Sequence, residues 1–61
     1  MNTGWIKSYL ADTGEAVMIN ANNITEMHQF NGKTVIKFIG NTNNYIEVKE
    51  QLMEVYGKIW W

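Results

Sequence analysis

Residues 30–39 read Phe30-Asn31-Gly32-Lys33-Thr34-Val35-Ile36-Lys37-Phe38-Ile39, "FNGKTVIKFI", and how this stretch folds decides the rest. Asn31 and Gly32 both accept the positive φ of a two-residue type I′ turn, so the pair predicts a tight hairpin. The strand after it alternates cleanly: Thr34, Ile36 and Phe38 face one side, Val35, Lys37 and Ile39 the other. Before it, Ile24 to Phe30 reads as the partner strand. Ile24 and Met27 are three positions apart there, which fits neither strict alternation nor a full helix, so this strand is entered through an irregularity.

Asn20-Ala21-Asn22-Asn23 precedes that strand. Asparagine bonds its own backbone and tolerates left-handed conformations, so the segment predicts a corner, a bulge or one helical turn. Further upstream, Trp5, Lys7 and Tyr9 alternate with Ile6, Ser8 and Leu10, and Ala16 to Asn20 forms a second apolar run. Asp12-Thr13-Gly14-Glu15 connects the two with turn residues, which predicts another hairpin.

Downstream, Gly40-Asn41-Thr42-Asn43-Asn44 is a loop and Tyr45 to Lys49 alternates again, with Ile46 and Val48 opposed to Tyr45, Glu47 and Lys49. From about Glu50 the period changes. Leu52, Val55, Tyr56 and Ile59 recur at the spacing of one stripe of an amphipathic helix. The expected fold is α+β: a small antiparallel β-meander or barrel-like sheet of four to five strands with one C-terminal α-helix packed on one face. The count is four if the second and third strands are one bent strand.

The chain has 61 residues, the size of a single small domain spanning 1–61. It has no cysteine, so no disulfide and no thiolate metal site reinforces it. Such a chain depends on a dense core or on oligomerisation. Hydrophobic residues make up 46% of the sequence, a generous share that raises the expectation of self-association. Net charge is −1 and arginine is absent. Nucleic-acid affinity comes largely from cations neutralising phosphates, and arginine is the usual bidentate reader, so this composition argues against a stand-alone nucleic-acid binder.

The amino end "MNTGWIKSYL" lacks a charged flank followed by an apolar run, and no apolar stretch is long enough to span a bilayer. The expected location is cytoplasmic, without membrane association. Abundant Asn and Ile with no Arg or Pro suggests an AT-rich coding sequence, as in a low-GC bacterium or its phage.

The residues that carry chemistry are sparse. His28 is the only histidine and Ser8 the only serine, and nothing places them together as nucleophile and base. One histidine without cysteine cannot furnish a zinc site, and no Gly-rich phosphate loop exists, so no metal or cofactor is expected. His28 is expected to be a partly exposed strand residue. Glu50 and Glu54 read as a solvated face. The expectation is a non-enzymatic protein.

Two surfaces are candidates for binding. On a helix with Leu52 at zero, Leu52, Val55, Tyr56 and Ile59 lie within roughly sixty degrees of one another's centre. Met53 and Trp60 fall roughly 80–100° away, with Gly57 and Trp61 beyond them. Met53, Gly57, Trp60 and Trp61 therefore form a second apolar surface, suited to another copy of the chain or another protein. The alternative is a nucleic-acid face in which Trp5 and Tyr9 stack bases while Lys7 and Lys37 track phosphate. The competing explanation of that face is that the aromatics fill a core or a sheet contact and the lysines edge the sheet.

The runs "TGEAVMINANNITEM", "TVIKF" and "NYIEVKEQLMEVYGKI" together resemble the FlbD family of small flagellar-operon proteins. The shared pattern is a Gly turn, a strand ending in Asn, a short corner to an isoleucine, a Val-Ile strand, and a Tyr-x-Val strand feeding a terminal helix. The chain departs from it at Trp5, in the Asn-rich loop 41–44 and at Trp60-Trp61. What the resemblance implies is the fold; it brings no catalytic or ligand residue. The functional expectation is a small bacterial or phage protein–protein interaction or self-assembly module, most simply a homo-oligomer.

Overall fold

The turn at Asn31-Gly32 forms as its composition requires. In the computed structural model, which describes residues 4–40 and 44–60, Asn31 has φ 52° and Gly32 φ 77°. They join β3 (Ile24–Phe30) to β4 (Lys33–Phe38), with Phe30 opposite Lys33. β5 (Tyr45–Val48) pairs with the other side of β4, giving a three-stranded antiparallel sheet ordered β3-β4-β5. The connection between β4 and β5 falls partly outside the described residues. At its ends the Asn44 side-chain amide donates to the Ile39 carbonyl at 2.7 Å.

β1 (Trp5–Tyr9) and β2 (Ala16–Asn20) form a separate two-stranded sheet, with Tyr9 opposite Ala16 and Trp5 opposite Asn20. Its turn is held by the Gly14 N–H donating to Leu10 and the Leu10 N–H donating to Glu15, both at 2.9 Å. A 3-10 turn at Ala21–Asn23 then redirects the chain into β3. Asn20 starts it: its side-chain oxygen accepts from the Asn22 N–H at 3.0 Å, the short-range bond that favours asparagine at such corners. The second and third strands are therefore distinct, and the strand count is five.

The irregular entry to β3 is a β-bulge. Register shifts between Ile24, opposite Phe38, and Glu26, opposite Lys37, so Thr25 is the extra residue. The shift returns Met27 to the same side as Ile24, and both pack against the core despite being three positions apart.

The meander is realised as two sheets that do not close into a barrel. They meet at two places. A bridge between Leu10 and Val48 is flanked by the Ala11 N–H donating to Glu47 and the Lys49 N–H donating to Tyr9. At the other end the 3-10 turn itself joins them, where the β1–β2 ladder closes with the Ala21 N–H donating to Gly4 and the β3–β4 ladder opens with the Ile39 N–H donating to Asn23. Between these points β2 pairs only with β1 and β3 only with β4, so each sheet keeps an outer edge.

α1 (Leu52–Trp60) covers the space between the sheets. The core is Ile6, Ile19, Ile36, Val48 and Val55, contributed by β1, β2, β4, β5 and the helix in turn. Ile36, Val48 and Val55 are fully buried, and burial of such a side chain contributes about 1.5–3 kcal/mol. Leu52 and Ile59 are half-buried with Val55, but Tyr56 stays exposed, so the buried stripe of the helix is narrower than its periodicity predicts. The helix start is capped locally: the Glu54 carboxylate accepts from the Gln51 N–H at 3.0 Å, as in one half of a capping box.

Candidate functional site

The helix candidate surface is only partly visible. Met53 is 71% exposed, and Gly57 is exposed with no atom near where a Cβ would stand. Both point away from the core, as the helical periodicity predicts. The side chain of Trp60 and the whole of Trp61 lie outside the described residues.

The aromatic and lysine candidates separate. Trp5, Lys7 and Tyr9 do share the exposed face of β1, because the opposite face of that strand buries Ile6 and Ser8. The Lys7 ammonium sits over the Tyr9 ring, 5.7 Å from its centroid, a cation–π arrangement. Lys37 belongs to the other sheet, where its ammonium lies 3.8 Å from the Glu26 carboxylate. Lys33 pairs with Glu47 at 3.0 Å and Lys58 pairs with Glu50. Three of the five lysines, Lys33, Lys37 and Lys58, are thus paired with carboxylates.

His28 and Ser8 are not brought together. His28 lies half-exposed on β3, with its Nδ1 3.1 Å from Glu26, while Ser8 is completely buried. Among the described residues no cluster of three or more His, Cys, Asp or Glu side chains is placed to hold a metal ion.

The chemistry around Ser8 was hidden in the sequence. Its hydroxyl donates to Glu50 Oε1 at 2.5 Å, and the other carboxylate oxygen of Glu50 meets the Lys58 ammonium. Lys58 also donates to the Lys7 carbonyl at 2.6 Å, and the fully buried Thr34 hydroxyl donates to the Glu50 carbonyl at 2.6 Å. Partial burial alone would raise the Glu50 pKa. The hydrogen bonds from Lys58 and Ser8, with the charge of Lys58, outweigh it and hold the carboxyl below the usual glutamate range. Glu50 is therefore not part of a solvated face with Glu54. The group is a clamp that ties the start of the helix and its last turn to both sheets.

A second set of polar contacts ties the helix start to the β3–β4 hairpin. The Gln29 side-chain amide donates to the Gln51 side chain, whose own amide donates to the Gly32 carbonyl at 3.1 Å. The Leu52 N–H completes the set by donating to Gln29 Oε1 at 3.2 Å.

An apolar opening lies beside β2. A groove of about 410 Å³ runs between Val17–Asn20 on one wall and Phe38, Ile39, Asn44 and Ile46 on the other, with Trp5 at its rim. Val17, Ile19, Phe38 and Ile46 form its floor from partly or fully buried side chains, whereas Trp5, Met18 and Ile39 are each about 60% exposed. Ladder geometry shows how β2 presents itself there. The bonds from Leu10 to Glu15 and from Ala21 to Gly4 place Ser8/Val17 and Ile6/Ile19 as the hydrogen-bonded pairs. The main-chain groups of Ala16 and Met18 therefore point outward, and among the described residues no hydrogen bond reaches them. A second depression, of about 580 Å³, is bounded by Leu10, Asp12, Tyr45, Ile46 and Glu47, with Glu47 already engaged by Lys33.

Comparison with protein-family models, curated proteins and solved structures finds no match for this chain. The likeness to the FlbD family thus rests on its residue pattern alone. No helix among the described residues is long and apolar enough to cross a membrane.

Proposed function

We propose that this protein is a non-enzymatic interaction module that assembles with itself. The observation that carries this reading is the imbalance between inside and outside. Against six buried aliphatic side chains and the partly buried ones packed on them stand exposed Trp5, Met18, Phe30, Ile39, Tyr45 and Met53 on one small chain. Apolar surface left outside on this scale is stabilised when another molecule covers it.

Sedimentation equilibrium across the micromolar range tests it: a mass rising with concentration to a defined oligomer is expected. A monomer at high micromolar concentration overturns it. Deletion of Trp60 and Trp61 reports separately on the helix end, since assembly through that end would dissociate with their loss.

Nucleic-acid regulation is the weaker reading. In its favour stands the exposed Trp5, Lys7 and Tyr9 face; against it stands the pairing of Lys33, Lys37 and Lys58 with carboxylates. Salt-sensitive quenching of tryptophan fluorescence by mixed RNA or single-stranded DNA would reverse that order.

A further inference from the structure

We infer that two copies of the chain join through β2, antiparallel and edge to edge about a two-fold axis at Met18. The inference rests on self-assembly as proposed above and names the surface that performs it.

The unpaired groups themselves say what kind of molecule fits. Outward N–H and C=O groups along a strand are satisfied by another strand, the geometry of β-augmentation. Here the outward positions, Ala16, Met18 and Asn20, are symmetric about Met18. In an antiparallel self-pair, the Met18 N–H and C=O meet those of Met18 in the second copy. The Asn20 N–H of each copy meets the Ala16 carbonyl of the other. An isologous contact of this kind requires the same patch on both partners, which β2 provides by construction.

Charge points the same way. β2, "AVMIN", contains no ionisable residue, so self-pairing sets no like charges opposite each other. It also carries none of the devices that discourage edge pairing: no lysine, no proline and no bulge. β3, an edge strand of the other sheet, carries several. It has the bulge at Thr25, Glu26 and His28 along its length, and Gln29 bonded to the helix start. Pairing through β2 would also bring the second copy alongside the groove lined by Phe38, Ile39 and Ile46, next to the exposed Ile39.

Three measurements on the full chain test this. Met18 is exposed and opposite Lys7, so Met18→Glu is tolerated within the hairpin while setting two carboxylates against each other at the axis. Sedimentation equilibrium should show the dimer dissociation constant rising roughly tenfold or more, with circular dichroism unchanged. Because the chain has no cysteine, Met18→Cys supplies a single thiol. Across a hydrogen-bonded antiparallel pair the Cα atoms lie about 5.5 Å apart, within the range a disulfide spans. Mild oxidation should therefore cross-link Met18→Cys into a covalent dimer, and not Met53→Cys on the helix.

A dimer that survives Met18→Glu overturns pairing through β2 and leaves self-assembly standing. Cross-linking through Met53→Cys alone moves the interface to the helix and does the same. A monomeric wild type overturns both readings and leaves the edge to a strand of another protein.

Discussion

β2 and β3 are joined by a three-residue turn, and each is the outer strand of its sheet, yet their edges are built in opposite ways. β3 is interrupted by a bulge, punctuated by Glu26 and His28, and bonded through Gln29 to the helix start. β2 is short, regular and uncharged, and it borders an apolar groove. Guarded edges resist pairing and unguarded ones invite it, so the contrast assigns the two edges different tasks. Under the proposed assembly, one edge closes the domain and the other takes the second copy.

The largest effect on that contrast should come from releasing the helix. Glu50→Ala strands the fully buried Ser8 hydroxyl and removes the carboxylate that Lys58 meets. A loss of about 2–3 kcal/mol in urea unfolding is expected, with β3 and β4 uncovered as the helix loosens. A loss under about 0.5 kcal/mol would show that the clamp does not hold the helix.

Breaking the hairpin that carries β3 ranks second. Gly32→Ala imposes a side chain at φ 77° and should cost about 1–2 kcal/mol, although nothing lies near the added Cβ. Thermal denaturation would report it. An unchanged midpoint would mean that the turn relaxes to another type.

The clamp also gives stability a direction with pH. The Glu50 carboxyl is held below its ordinary range, so the unfolded chain takes up its proton at a higher pH than the folded one. The contribution is fully present above the ordinary glutamate pKa and is lost as pH falls through the lower folded value. Wild type and Glu50→Gln should therefore differ most near neutrality and converge in acid. Curves that stay parallel down to about pH 3 would contradict this.

The smallest effect sharpens the comparison most directly. In dilute solution the Met18 amide should exchange with solvent faster than those of Val17 and Ile19, which bond to β1. Raising the concentration should slow Met18 selectively and leave the Met27 amide on the outer side of β3 unchanged. Equal slowing on both edges would mean that β3 pairs as readily as β2.

Much of the fold was legible because the signals were local. Asn31-Gly32 announced its turn, alternation marked Lys33–Phe38 and Trp5–Tyr9, and Leu52, Val55 and Ile59 marked the buried stripe of the helix. The three-residue spacing of Ile24 and Met27 marked the strand as irregular, and only the pairing register showed the irregularity to be a bulge at Thr25. The exposure of Met53 and Gly57, and the shared face of Trp5, Lys7 and Tyr9, followed from periodicity alone.

Tertiary structure decided the rest, and the reason is distance along the chain. Ser8 and Glu50 are separated by 42 positions, and Lys58 reaches the Lys7 carbonyl across 51. No local pattern distinguishes a partly buried, bonded Glu50 from a solvated one, because its surroundings are set by elements that arrive from both ends of the chain. The same holds for the division into two sheets. Alternation says that a segment is a strand, but which neighbour it pairs with depends on where the Asn20–Asn23 corner sends the chain. That corner leaves the neutral edge of β2 open, a property present in its residues and visible only once every other strand has taken its place.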